Sequence, residues 1–188
     1  MPSGRTHDRI TLYTLPLIAG VTLWQTRNSN LTLLVASGFM FSGLMFGPDL
    51  DIYSRQFQRW GFLRCIWLPY QKNLRHRSVI SHGPIIGTTV RVIYLGCLLA
   101  IVTIVTIVIG EKLGFLALTW QDLGVALGRS LVVYSTEYLA LFLGLELGAM
   151  SHSLSDWGGS AYKRLQKQGV RSLLPRRKVK KTPRRRKK

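Results

Sequence analysis

Apolar residues along this chain collect in four stretches, residues 10–26, 31–46, 85–109 and 123–150, with short polar segments between them. The third is the clearest. From Val92 to Ile109 no charged residue interrupts it, and its length matches the roughly 20 apolar residues that cross a bilayer core. It predicts a transmembrane helix. The first two hold about 16 or 17 apolar-dominated residues each, near the lower end for a span. Pro16 and several Thr, Ser and Gly lie inside them, so helices buried in a compact bundle fit the pattern equally. The fourth carries Arg129, Glu137 and Glu146, and a charge at membrane depth is by default paired or functional. The pattern predicts an all-α fold of about four transmembrane or deeply buried helices.

Charge changes the picture at the C-terminal end. The 188 residues include 26 Lys and Arg against eight Asp and Glu, a net charge of +18. Fourteen of the basic residues and no acid lie in residues 163–188. Such a segment cannot bury a core and is predicted to be disordered. The chain thus divides into a helical membrane domain, 1–162, and a polybasic tail, 163–188. The tail suits anionic lipid headgroups, at about 1 kcal/mol per charge near the surface. Nucleic acid, gripped through its phosphates, is the second candidate, and no aromatic residue follows Tyr162 to stack on bases. With four spans, Arg5, Arg9, the basic residues from Arg55 to Arg77 and the tail all fall on one side, which the Lys and Arg excess marks as cytoplasmic. Both termini are expected there. The start shows no secretory signal pattern. Cys65 and Cys97 share no motif spacing and are expected to be small buried packing residues. Residues 57–70, where aromatics alternate with arginines, are expected flat on the membrane surface, as a lid or as an ordinary packed loop.

All four histidines lie in short polar islands: His7-Asp8, Pro48-Asp49-Leu50-Asp51, His76-Arg77-Ser78-Val79-Ile80-Ser81-His82 and Ser151-His152 with Asp156. Half of the eight acidic residues sit in these islands. In the four-span arrangement the islands occupy one end of the bundle. That coincidence predicts a metal site built from helix ends, with His7, Asp49, Asp51, His76, His82, His152 and Asp156 as candidate ligands. His152 and Asp156, four apart, share a helix face, and Gly158-Gly159 is expected to end that helix. Two carboxylates with one residue between them reach one centre from a turning backbone, although an Asp there would also cap a following helix. His76 and His82, six apart, would sit about 240° apart on an ideal helix. They converge if His76 lies in a loop and His82 opens the next helix. Arg91 and Glu146 lie on the order of 10 Å below the islands, either as a buried pair or with Arg91 snorkelling to the interface.

The ordered motifs Gly47-Pro48-Asp49-Leu50-Asp51, His76-Arg77 with Ser81-His82, and His152 with Asp156-Trp157-Gly158-Gly159 resemble those of the bacterial membrane-bound metal-dependent hydrolase-like family. Residues 4–160, with their Arg-Thr-His-Asp start, are more similar still to a bacterial family of uncharacterised metal-binding proteins. A remoter similarity runs to the helical zinc phospholipase C and nuclease fold. The resemblance implies helical spans, a bound divalent metal and a hydrolase activity.

Mixed imidazole and carboxylate donors suit zinc first, with iron or manganese after it. If the protein is an enzyme, the metal would acidify a water and a carboxylate among Asp8, Asp51 and Asp156 would take the proton. Asp51 and Arg77 are the candidate catalytic residues, the arginine for steadying an anionic, phosphoester-derived group. The competing class is a metal-binding scaffold or assembly factor without catalysis.

Overall fold

A computed structural model describes residues 4–115 and 120–168, which are helical without strands. Four long helices frame the molecule: α1 (Gly4–Thr26), α2 (Ser29–Leu44), α6 (Ile86–Lys112) and α8 (Ser135–Gln168). The short helices α3 (Arg55–Gln58), α4 (Leu68–Asn73) and α5 (Val79–His82) lie between α2 and α6, together with 3-10 turns at Pro48–Asp51 and Gly61–Trp67. Helix α7 (Trp120–Val133) precedes α8.

Arg27, at a positive φ of 51°, reverses the chain after α1. The Asn28 carboxamide then caps α2, accepting from the N–H groups of Asn30 and Leu31 at 2.9 and 3.1 Å. Helices α2 and α8 run parallel at backbone contact. A Cβ on Gly144 would lie 2.3 Å from the Val35 carbonyl oxygen, and one on Gly148 would lie 2.4 Å from that of Phe39. Gly38 faces Leu141 in the same way at 2.8 Å. Glycines four apart on one helix allow this approach. Thr11 of α1 meets Gly43 of α2 similarly, so α1 joins the pair.

Residues 45–85 form a small core at the end of α2. Phe46, Leu50, Phe57, Trp67, Tyr70 and Leu145 make its centre. Trp67 is wholly buried, with ring contacts to Phe46, Trp60, Tyr70 and Tyr94 at 5.1–5.7 Å between centroids. The aromatic segment packs through Phe57, Trp67 and Tyr70, while Phe62, Leu63 and Leu68 stay exposed. The Tyr94 hydroxyl donates to the Ile66 carbonyl, tying this core to α6.

Among the described residues, two helices are long and apolar enough to cross a membrane: Ser29–Asp51, with mean hydropathy 1.6, and α6, with 2.9. Helices α7 and α8 qualify only as one broken span, bent by 73°, so the fourth apolar stretch is not one straight helix. Helix α1 does not qualify; Thr11, Thr14, Thr22, Gln25 and Thr26 dilute it. Of the expected transmembrane or buried helices, two or three among the described residues could thus span a membrane by length and composition. Beyond its first turns α6 stands nearly free, with Leu99, Ile101, Val102, Ile104 and Val105 exposed.

Three further expectations are corrected. Gly158 and Gly159 do not end the helix, which continues to Gln168; each glycine costs about 1 kcal/mol relative to alanine, too little to stop a helix well formed on both sides. The boundary at 162 therefore falls inside α8, and residues 169–188 of the tail lie outside the described residues. Cys65 and Cys97 are exposed rather than packed. Arg91 neither snorkels nor forms an ion pair with Glu146. It is 1% exposed and donates to the Ser81 carbonyl and the Thr88 hydroxyl, each at 2.9 Å.

Because Gly148 touches backbone that cannot yield, Gly148→Leu should separate α2 from α8 and lower stability by about 3 kcal/mol or more. Gly96→Leu, where an added Cβ meets nothing within 4 Å, should leave stability nearly unchanged. Thermal unfolding of both variants in detergent checks this, and equal midpoints would refute the tight α2–α8 contact.

Candidate metal centre

Each polar island reaches the centre by a different local route. His7 projects from the first turns of α1, where its carbonyl accepts from the Thr11 hydroxyl. Pro48 opens a 3-10 turn that presents Asp49 and Asp51. That turn is braced from outside: the Gln71 amide donates to the carbonyls of Leu50 and Ile52 at 3.0 Å, and the Ser54 hydroxyl donates to that of Asp49 at 2.8 Å. His76 stands in a turn and His82 closes α5, so their rings lie 5.0 Å apart. The turn escapes the 100° helical step that would separate them. His82 ends the short helix α5 instead of opening α6, because Gly83 and Pro84 intervene. His152 and Asp156 lie one turn apart on α8.

The Ser81–Ile85 bend is held from both sides. Arg91 takes the Ser81 carbonyl, and one Glu146 carboxylate oxygen accepts from the Ile85 N–H at 2.9 Å. Ile85 has a φ of 62°. A β-branched residue in that region is strained, by about 1–3 kcal/mol. The carboxylate bond and the buried guanidinium are what oppose that strain.

The side chains meet in two adjacent groups. In the first, His7 Nε2 lies 3.2 Å from Asp156 Oδ1, and the His7 and His152 rings stack at 4.0 Å. In the second, His82 Nε2 lies 3.6 Å from Asp49 Oδ1, with His76 alongside. Within each group, His7, His152 and Asp156 or Asp49, His76 and His82, one ligand atom per residue falls within 4.8 Å of the others. Asp49 links the groups, since its Oδ2 lies 3.2 Å from His152 Nε2. Asp51 stands behind the second group. Its Oδ1 is 2.9 Å from His76 Nδ1, and its Oδ2 is 3.6 Å from His82 Nδ1. His82 Nδ1 also meets the Ser81 hydroxyl at 2.8 Å.

This cluster is buried and under-satisfied. His7 and His152 are 6% and 5% exposed. Buried atoms without a hydrogen-bond partner include His152 Nε2, His82 Nε2, Asp49 Oδ1, Asp51 Oδ2 and Asp156 Oδ1. Buried polar atoms are ordinarily paired, and these are lone-pair donors facing one another. A cation among them would satisfy them. The His7 imidazole is held below its ordinary titration range, by burial first and then by the neighbouring His152, against the opposing pull of Asp156 and Asp49. It is thereby kept neutral, the form in which imidazole ligates metal.

Two expected site residues stand apart. Asp8 turns away from the cluster, with a bidentate Arg59 contact at 2.7 and 2.9 Å and Arg55 at 3.2 Å, because neighbours i and i+1 on a helix face different ways. Arg77, at a φ of 60°, is half exposed with one Nη 3.8 Å from Asp156. Sequence reasoning missed the supports. Gln71 and Ser54 carry no pattern that singles them out, whereas Ser81 was visible as the neighbour of His82.

Comparison with known proteins places this geometry in context. No solved structure matches the chain. A protein of Aquifex aeolicus (strain VF5), described only as uncharacterized, is 41% identical over 59 residues, covering 31% of this chain and 41% of that relative. The match thus spans less than half of that protein's length. The profile of the family described as uncharacterized metal-binding protein (DUF2227) matches residues 2–166, nearly the whole described region, and the chain belongs to that family.

Proposed function

We propose that this protein holds two divalent metal ions in the buried cluster, zinc by preference, and uses them to hydrolyse phosphoesters at a membrane surface. The observation that carries the reading is the convergence of buried, unpartnered donor atoms from four separate segments. His7, His152, Asp156 and one oxygen of Asp49 would hold one ion. His76, His82 and the other oxygen of Asp49 would hold the second. Four His and Asp donors suit zinc, and iron or manganese would also accept them. Asp51 would accept a hydrogen bond from His76 Nδ1–H and so present Nε2 to the ion, the carboxylate–histidine support common to metal sites.

When bound, the ions supply Lewis acidity. The rest falls to the chain. Asp8 is closed off by Arg55 and Arg59, which removes it as a proton acceptor. Asp156 is occupied by His7 and Arg77. Asp51, which is not a ligand in this arrangement and whose Oδ2 is buried without a hydrogen-bond partner, is the carboxylate left to take a proton from a water in the cluster. Arg77 at the rim would pair with an anionic group. The exposed apolar faces of α6 suit lipid, the metal end lies cytoplasmic, and the basic tail binds anionic headgroups.

Metal analysis of detergent-purified protein should find two ions per chain. Asp49→Ala should lose both, whereas His7→Ala or His82→Ala should lose mainly one. Since the ligands act together, pairing His7→Ala with His152→Ala should lower metal affinity much less than the sum of the singles. Protein without bound metal in every preparation would end the reading. On a phosphodiester panel, Asp51→Asn should retain metal and lose about 100-fold in turnover. Metal-replete protein inert across the panel would favour the scaffold.

Acid should act in a defined direction. The unfolded chain takes up a proton at His7 near 6.5, while the folded site resists it until lower pH. Stability is therefore fully present above about 6.5 and is lost as pH falls through the folded value. Metal binding releases protons from its ligands and weakens in the same direction. Melting temperature against pH in the presence of chelator should fall below 6.5, and His7→Gln should flatten that slope. An unchanged slope in the variant would contradict the burial argument.

For topology, reporters fused after Lys188 and near Arg64 should both read cytoplasmic. Partition of the full chain into buffer without detergent would replace the membrane model with a soluble bundle.

A further inference from the structure

Continuation of α8 past its glycine pair has a chemical result. His152, Asp156, Ser160 and Arg164 follow one another at four-residue spacing, so they form one stripe along the helix. The stripe begins inside the metal cluster and ends at an arginine that composition alone assigns to the basic tail. Beside it lies a cleft of about 330 Å³, bounded by Arg77, His82, Asp156, Trp157, Ser160 and Arg164 among others. Arg77 stands across from the stripe on the turn before α5, and Arg164 donates its Nε–H to the Ser160 carbonyl at 3.3 Å. Among the described residues, the Nη groups of Arg164 have no protein partner. His82 and Asp156, both candidate ligands, form the inner wall.

We infer that this cleft is a phosphate-binding subsite in which Arg77 and Arg164 grip a phosphate group and deliver it to the metal cluster. The inference rests on the metal reading above. Guanidinium groups match phosphate oxygens in planar, bidentate fashion, and two of them flank one opening here. Charge makes the subsite conditional. Without ions, Asp156 in the inner wall, with Asp49 and Asp51 in the cluster beyond it, presents three negative charges that oppose an anion. Two divalent ions outweigh those three charges and leave both arginines free to attract. Phosphate should therefore bind only to metal-loaded protein. Trp157, 69% exposed at the mouth, adds an apolar rim of the kind found at membrane interfaces. A lipid headgroup or a soluble phosphoester would present the same phosphate.

The test measures binding of inorganic phosphate to full-length, metal-loaded protein in detergent, with metal content determined on each preparation. Arg164→Ala and Arg77→Ala should each weaken binding about tenfold at unchanged metal content. Arg164→Lys should recover only part, because an ammonium lacks the fork. Lys163→Ala and Lys167→Ala, on other faces of the same helix turn, should leave affinity unchanged. Removal of metal should abolish binding by the wild type. Wild-type affinity in Arg164→Ala at full metal content would overturn the subsite. So would an equal loss in Lys163→Ala, which would reduce the effect to diffuse positive charge. Loss of metal itself from the wild type would instead count against the ligand cluster. Nanodiscs containing phosphatidic acid, against phosphatidylcholine nanodiscs and a soluble phosphomonoester, then separate the sources. Competition by phosphatidic acid alone assigns a lipid headgroup, and competition by the soluble ester assigns a free substrate. Competition by neither would overturn the subsite.

Discussion

Backbone contact between α2 and α8 is the constraint on which the rest of this structure depends. Asp49 leaves the end of α2, and His152 sits on α8, with their side-chain atoms 3.2 Å apart. Helix axes usually stand 8–10 Å apart, as the side chains between them dictate. Glycines at 38, 144 and 148 remove that spacing at the turns just before the site. Val35, Phe39 and Leu145 are buried beside this contact, but the glycines set how closely the two backbones approach, and close packing of small residues itself favours helix association. What the glycines provide is proximity, and proximity at this point decides whether one carboxylate can reach both groups of histidines.

The second requirement is that a polar turn stay in place beside an apolar bundle. Residues 45–85 meet it by folding their own core around Trp67 and by turning amides and a guanidinium inward. Gln71 holds the Pro48–Asp51 turn, and Arg91 holds the Ser81 carbonyl. Glu146 holds Ile85 in a backbone conformation that isoleucine avoids. A charged group buried without a partner is costly, so each of these is a commitment to one geometry. Glu146 and Arg91 act on the same bend from different helices without touching. This explains why both charges persist at depth without forming an ion pair.

Much of the site was legible because its chemistry stands out from an apolar background. In a chain so poor in acid, the placement of Asp49, Asp51 and Asp156 beside all the histidines is informative by itself. The helices were legible as apolar stretches, yet their roles were not. Residues 10–26 and 31–46 have similar lengths, and only tertiary packing shows that α1 is a polar-flecked companion of α2. The break between α7 and α8 at Tyr134 lies beside Ser135-Thr136-Glu137, polar residues too few to divide the apolar stretch by hydropathy. The continuation of α8 past Gly158 defeated a local rule for the opposite reason. Glycine is permissive rather than prohibitive, and neither glycine here has the positive φ of a helix-ending turn. In the aromatic loop the sequence does not separate residues that pack from residues that stay exposed, because tryptophan and tyrosine serve membrane interfaces and protein cores equally well.

The candidate ligands come from chain positions as distant as 7 and 156, and the group of His7, His152 and Asp156 forms only when α1 and α8 pack together. An unfolded chain therefore has no comparable site, so whatever free energy an ion gains at the cluster adds to the stability of the folded state. The metal-free fold must hold buried carboxylates beside unpaired imidazole nitrogens, which opposes the same helix contacts that bring them together. Glycine packing and the Trp67 core keep the framework assembled against that cost, and the ion removes it. Stability and site chemistry are thus coupled through Asp49, the residue that links the two groups. In the proposed Arg77–Arg164 subsite the same coupling would set the sign: the carboxylates that would repel a phosphate are the ones a bound ion would neutralise.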